Sequence, residues 1–267
     1  MSVTFTILGC GSSGGVPRVG PSGWGACDPA NPKNRRRRCS MLVERDDPVT
    51  GGRTSVLIDL SPDLREQLLG VGLMHLDAVL LTHAHADHIH GIDDVRPLVL
   101  QRGSQIDVHM DEPTAKIVLN NFSYIFRTPE GSLYSPLLVD RRLTPGRKCR
   151  VEGSGGAIEA LPFRLFHGEV DALGFRFGNI AYTPDLNGIP DESLDALTGL
   201  DCWIIDALRY TPHPSHLSLS ESLDWIDRLK PKQAILTNMH IDLDYATLKR
   251  ELPAYVDVAY DGMRITS

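Results

Sequence analysis

The run "LLTHAHADHIHGI", Leu80 to Ile92, constrains this chain more than any other stretch. Histidine is a mediocre helix former, and four imidazoles within His83–His90 repel one another when protonated. A bound metal is the first candidate to offset that cost. His83 and His85 sit two apart after the apolar run "LDAVLLTH". In extended chain they therefore point to the same side and can reach one ion. Asp87 and His88 are adjacent and begin a turn into a helix, so they diverge toward a second position. A His-x-His-x-Asp-His run can thus feed two ions about 3.5–4 Å apart. Imidazole with carboxylate suits zinc, manganese or iron.

Further ligands must come from elsewhere. His167 in "LFHGE", Asp185 in "YTPDL" and His240 in "TNMHID" each follow an apolar strand. Such positions converge at one edge of a sheet. Among the other histidines, His90 would point away from His88 on a helix, and His75 and His109 lie outside the pattern.

With 267 residues the chain is long enough for one large domain over residues 1–267. Strands are expected at Val3–Leu8, in "CSMLVE" and "TSVLIDL", and at "LDAVLLTH", "IDVHM", "AIEALPFRLFHG", "ALGFRFG", "NIAYTPD", "LDCWIIDAL" and "QAILTNM". A helix is expected from the Ser61 N-cap and Pro62 to a stop at Gly70 or Gly72. Others are a short helix interrupted at Pro97, one over "DEPTAKIVLNNFSYIF", one capped by Ser218 with Glu221 three residues on, and "YATLKREL". Residues 127–156 read as an irregular, lid-like insertion, and "DVAYDGMRIT" as a closing hairpin. Two sheets covered by helices would fit this layout.

The net charge is −7, which argues against an extended nucleic-acid surface. No apolar stretch approaches the roughly 18 residues needed to cross a bilayer. The N-terminus reads as a first strand rather than a signal peptide. Five scattered cysteines read as reduced thiols, so a cytoplasmic setting is expected.

The order His83, His85, Asp87, His88, His167, Asp185, His240 resembles the signature of the metallo-β-lactamase superfamily. The resemblance covers essentially the whole chain. It implies an α/β fold, the αββα sandwich, with two mixed β-sheets flanked by helices and two divalent ions, zinc or manganese, at one edge. His83, His85 and His167 would hold one ion, and Asp87, His88 and His240 the other. Asp185 would bridge them beside a shared water, with Asp87 and one further histidine expected to be catalytic. Two ions lower the pKa of such a water toward neutrality and stabilise charge on a phosphoryl or acyl oxygen.

Three stretches narrow the branch. "GCGSSGGVPR", Gly9–Arg18, resembles the phosphodiesterase branch, which includes ribonuclease Z and the PhnP-like cyclic-phosphate phosphodiesterases. It reads as a backbone anion cradle carrying Ser12 and Ser13, or as a plain tight turn. "NPKNRRRRCS" also resembles PhnP-like proteins. It is either a solvated face or a phosphate clamp, with Arg38 as the inward residue. "YTPHPSHLSLSESL" supplies the extra histidine found in that branch before the last ligand. His216 is the expected general acid, and His213 is the runner-up that contacts substrate.

The resemblance thus implies hydrolysis of a small phosphodiester, a cyclic ribose phosphate or related nucleotide, by attack of a metal-bridging hydroxide. It also carries a homodimer as a family-level expectation. The alternatives are a ribonuclease Z-like tRNA 3′-processing nuclease, a thioester or lactone hydrolase, and a non-catalytic accessory protein of cofactor biosynthesis. One departure stands out. Some relatives carry a structural zinc on clustered N-terminal cysteines, whereas Cys10, Cys27 and Cys39 form no Cys-x-Cys or Cys-x-x-Cys pair.

Overall fold

The computed structural model describes residues 2–128 and 130–267. The first half of the chain builds β1 (Val3–Gly9), β2 (Ser40–Asp46), β3 (Arg53–Ile58), α1 (Leu64–Val71), β4 (Ala78–Leu80), α2 (Ala86–Ile89), α3 (Arg96–Arg102), β5 (Ile106–Met110), α4 (Glu112–Asn121), α5 (Ser123–Phe126) and β6 (Leu138–Arg142). The second half builds β7 (Cys149–Val151), β8 (Ile158–His167), β9 (Val170–Phe177), β10 (Ile180–Thr183), β11 (Cys202–Asp206), α6 (Leu219–Leu229), β12 (Gln233–Thr237), α7 (Tyr245–Glu251), β13 (Val256–Val258) and β14 (Arg264–Thr266).

Among the described residues these strands form two seven-stranded sheets, ordered β14-β1-β2-β3-β4-β5-β6 and β13-β12-β11-β10-β9-β8-β7. Both are mixed. The first runs parallel from β3 to β6 and antiparallel from β14 to β3. The second runs parallel from β13 to β10 and antiparallel from β10 to β7.

Period-two patterning explains the layering. Phe5 and Ile7, Met41 and Val43, Val56 and Ile58, and Ala78 and Leu80 enter the core shared with the second sheet. Their neighbours Leu8, Leu42, Leu57 and Val79 face a separate cluster with Leu64 and Leu68 of α1, Val99 of α3 and Val118 of α4. Each inner strand is therefore apolar on both faces, which reads as a continuous run in sequence. The shared core includes fully buried Trp203, whose Nε1 donates to Thr183 Oγ1 at 3.0 Å. On the other side, Leu219 and Ile226 of α6 and Leu248 of α7 close onto the second sheet. The result is the expected αββα sandwich.

Several local expectations are corrected. Residues 127–156 are no lid: they contain β6 and β7, the edge strands of the two sheets. Pro129 lies outside the described residues. The "DVAYDGMRIT" segment is not a hairpin, because β13 pairs parallel with β12 while β14 joins the other sheet beside β1. Asp63, not Ser61, is the N-cap of α1. Ser61 shapes the turn before it, its carbonyl accepting from Leu64 N at 2.9 Å and its Oγ from Asp63 N at 3.1 Å. The helix stops at Gly72, whose φ of 64° suits a residue without Cβ. Pro97 does not interrupt its helix but lies in the first turn of α3, where a missing N–H is tolerated. The helix expected to run to Phe126 breaks at Phe122, between α4 and α5.

The parallel arrangement positions the chemistry. Strand ends at β4, β8, β10, β11 and β12 deliver His83, His167, Asp185, Asp206 and His240 to one edge of the sandwich.

Candidate metal centre

The histidine run splits as its spacing suggests. His83 ends the extended segment after β4, His85 caps α2, and Asp87 and His88 lie within that single turn. Ligand atoms of His83, His85 and His167 all lie within 4.8 Å of one another. So do those of His83, His88 and Asp185, and those of His167, Asp185 and His216. Asp185 is the centre of the arrangement. Its Oδ2 lies 3.9 Å from His83 Nε2, 3.4 Å from His88 Nε2 and 3.8 Å from His167 Nε2. Asp87 Oδ2 lies 3.5 Å from His88 Nε2. His240 and Asp87 line the same pocket as Asp185, but neither joins any of the three tight groups. The extra member of these groups is His216.

The ring nitrogens facing away from this centre are held. His88 Nδ1 meets Asp59 Oδ2 at 2.7 Å, and Thr82 Oγ1 donates to the same carboxylate. Thr82 Oγ1 also lies 3.0 Å from His83 Nδ1. His167 Nδ1 donates to the Ser215 carbonyl at 2.6 Å, and His240 Nδ1 meets Asp242 Oδ1 at 3.0 Å. Such partners fix a ligand ring's orientation and leave the other nitrogen for an ion. The Nε2 atoms of His83 and His88 are buried and lack a hydrogen-bond partner. Unpaired buried nitrogens aimed at two carboxylates are costly on their own and suit a cation between them.

The electrostatics divide the rings. Burial opposes a charge on His88, but Asp185, Asp87 and Asp59 push its pKa well above the ordinary value, so this ring must give up a proton to bind an ion. Burial pushes the pKa of His83 well below its ordinary value, with help from neighbouring His88. Burial also lowers His167. Both rings are thereby kept neutral, the state a ligand needs. Burial opposes ionisation of Asp185, yet His88 and then His216 hold it well below the usual carboxylate range.

Asp59 carried no motif signal. It follows the β3 strand in "LIDL", is fully buried, and adopts φ 63°. A buried aspartate after an apolar strand was the available cue. Asp206 is the second residue the motifs did not mark. It ends β11, is fully buried, and its Oδ2 lies 2.9 Å from His216 Nδ1. Burial raises Asp206 to about 7 against the pull of His216. Burial works against His216, but Asp206 and then Asp185 push it up to about 9. Asp206 therefore orients the His216 ring and favours its charged form.

Around this pair is a cavity of about 210 Å³ lined by Ser12, Ser13, Arg18, Arg209 and His213 together with His85, Asp87, Asp185, His216 and His240. Leu208 is its apolar wall. Ser12, Ser13 and His213 line this cavity. Arg38 does not. Its Nε pairs with Asp63 at 2.9 Å, and it is absent from the lining. A carboxylate at the α1 cap captures it. The cations that face the cavity are Arg18, whose Nη2 donates to Ser12 Oγ at 3.4 Å, and Arg209, which braces its own loop through the carbonyls of Thr211 and Pro212.

No cysteine joins a metal-type group among the described residues. Cys10, Cys27 and Cys39 are buried free thiols, bonded respectively to Asp261, the Ile241 carbonyl and the Gly11 carbonyl. His75 and His109 also lie apart, on Asp77 and Cys149.

Residues 54–241 match the family model described as the beta-lactamase superfamily domain. With its two-sheet sandwich, the chain belongs to the metallo-β-lactamase superfamily. Within it, the similarity is to PhnP-like proteins: the whole chain superposes on 98% of a crystal structure of a diphosphatase from the PhnP family, at a TM-score of 0.87 and 36% identity. It is 31% identical over 263 residues to an octanoyltransferase of Porphyromonas gingivalis, across 96% of this chain and 50% of that protein. It is 32% identical over 174 residues to a ribonuclease Z of Bradyrhizobium diazoefficiens, across 61% of this chain and 53% of that protein. The chain spans about half the length of these curated relatives.

Proposed function

We propose that the chain hydrolyses a small phosphodiester, a cyclic ribose phosphate or a related nucleotide, at a site for two divalent ions, zinc or manganese. The observation that carries this reading is the position of His216, backed by buried Asp206 and 4.7 Å in ring-centroid distance from His167. An imidazole oriented by a buried carboxylate beside a carboxylate and histidine cluster suits a reaction in which a poor leaving group departs.

His83, His85 and His167 would hold one ion, and Asp87, His88 and His240 the second, with Asp185 between them. When bound, the ions supply Lewis acidity and make water a competent nucleophile near neutral pH. The chain's own residues do the rest. Ser12, Ser13 and Arg18 orient the phosphoryl oxygens, and His213 contacts the substrate beside them. Arg209 adds a second positive group on the opposing loop. His216 gives its proton to the departing alkoxide oxygen, and Asp206 keeps the ring aligned and stabilises its charged form. The cavity is small and its lining polar and charged, so an octanoyl chain finds only Leu208 to lie against.

Hydrolysis rates on a matched panel test the reading, with zinc- and manganese-loaded protein. The expected order places a cyclic ribose phosphate and bis-p-nitrophenyl phosphate far above lactones, thioesters and tRNA. A nucleoside diphosphate ester that outpaces both would move the reaction to a phosphoanhydride, as in the diphosphatase of similar structure. Dominant lactone, thioester or tRNA turnover would sink the substrate class.

A further inference from the structure

Arg36 is among the largest fully buried side chains, at 2% exposure. Its guanidinium forms no ion pair among the described residues. Instead Nη2 donates to the Leu243 carbonyl at 2.7 Å and Nη1 to the His240 carbonyl at 3.3 Å. Nη2 also reaches Asn34 Oδ1 at 3.4 Å. Burying a guanidinium is costly unless its donors are satisfied. Nη1 also lies 3.9 Å from Cys27 Sγ, and Nε is left without a partner. The closest acceptor is the Leu243 carbonyl, with the His240 carbonyl beside it, so what the side chain fixes is the path of the main chain through His240–Leu243.

The same residue fastens a second segment. Arg36 N donates to the Val16 carbonyl, and Val16 N to the Arg36 carbonyl, both at 2.9 Å. Val16 lies between Ser13 and Arg18 in the segment that lines the cavity. Adjacent contacts extend the clasp. Asn34 Oδ1 accepts from Tyr245 N at 2.8 Å, Asn34 Nδ2 donates to Asp244 at 2.6 Å, and Ala26 N donates to the Ile241 carbonyl at 2.9 Å. The neighbouring arginines do not share this role: Arg38 is taken by Asp63, and Arg37 lies beside Asp261.

The geometry points to Arg36 as a positioning residue that pins the loop of His240 to the loop of Ser12 and Arg18, and so sets the affinity of the second metal position. This rests on the reading of His240 as a ligand. His240, like Asp87, stands outside the tight donor groups, so its reach depends on how its loop is held. Outer partners of a ligand typically tune metal affinity by about 10–100-fold.

The test uses Arg36→Lys and Arg36→Met in the full chain. Lysine keeps the charge but offers one nitrogen, which cannot serve the His240 and Leu243 carbonyls as the guanidinium fork does. Zinc affinity is measured by chelator competition, and amide hydrogen exchange is followed across 239–245. The expected result for Arg36→Lys is a loss of about tenfold or more for one of two zinc ions, with faster exchange across 240–245. Equal weakening of both ions marks a merely structural arginine and overturns the proposal, as does wild-type affinity for both. If Arg36→Met fails to fold, Arg36→Lys alone decides. If wild-type protein takes up only one ion, the two-ion reading fails. Exchange then decides the clasp, and unchanged exchange overturns it.

Discussion

Asp206→Asn separates the role of the His216 pair from that of the ions. The carboxylate lies 2.9 Å from His216 Nδ1, is fully buried, and is the largest favourable influence behind the His216 pKa of about 9. Without it the ring returns toward its ordinary pKa of about 6.5. At pH 8 the protonated share then falls from about nine-tenths to about one-thirtieth, a loss of about 30-fold. Asparagine can also select the wrong tautomer, which brings the total to about 10²–10⁴-fold, the usual span for a general acid. The sign is fixed by the raised pKa. Wild-type activity is expected below about pH 9 and should fade as pH rises through it. In Asp206→Asn the same limb moves down to near pH 6.5. The assay is a pH–rate profile on an alkyl phosphodiester, compared with bis-p-nitrophenyl phosphate, whose leaving group hardly needs a proton. The alkyl ester should lose at least about tenfold more. An alkaline limb that stays near pH 9, or equal losses on both substrates, would refute His216 as the acid.

Asp59→Asn removes the anionic partner of His88 Nδ1 and Thr82. Zinc affinity should fall by about 10–100-fold in chelator competition, and an unchanged affinity contradicts the supporting role. Asp244→Ala removes the N-cap of α7 and the acceptor of Asn34 Nδ2 and Asp28 N. Unfolding in urea should show a loss of about 3 kcal/mol, from one cap and one buried amide left unpaired; a loss below about 1 kcal/mol would mean that solvent replaces these bonds. Asp261 is buried, which raises its pKa to about 6 although Arg37 N, Arg37 and Cys10 favour the charged form. An acid with a raised folded pKa holds its proton more tightly when folded, so stability relative to a neutral side chain declines as pH rises from about 4 to about 6. Asp261→Asn should therefore gain on wild type by about 2 kcal/mol between pH 4 and pH 7, and a pH-independent difference in urea midpoints would refute it.

How much of this was written in the sequence depends on distance along the chain. The clustering of the histidine run after β4 was legible because its spacing encodes direction locally: two residues apart in extended chain, then a turn. His167, Asp185 and His240 were legible as polar residues closing apolar strands. Asp59 and Asp206 stand in equivalent positions, in "LIDL" and "IIDAL", but their value comes from partners 29 and 10 residues away. Nothing local distinguishes them from aspartates at an ordinary strand end. The arginine run misled for a related reason. Four adjacent cations cannot all face one way, and the winner was decided by Asp63, Asp261 and the carbonyls at 240 and 243. The strands at 138–151 were obscured because edge strands are short and carry charge, as β6 does with Asp140, Arg141 and Arg142. The supposed C-terminal hairpin failed because partner choice across a sandwich is a long-range decision that turn residues do not record.

The central claim is that this edge of the sandwich holds two ions around Asp185. Anomalous diffraction from crystals grown with zinc tests it most directly. The account predicts two peaks on either side of the Asp185 carboxylate, one reached by His83, His85 and His167 and the other by Asp87, His88 and His240. A single peak, or a second peak served by His216 rather than His240, would contradict it.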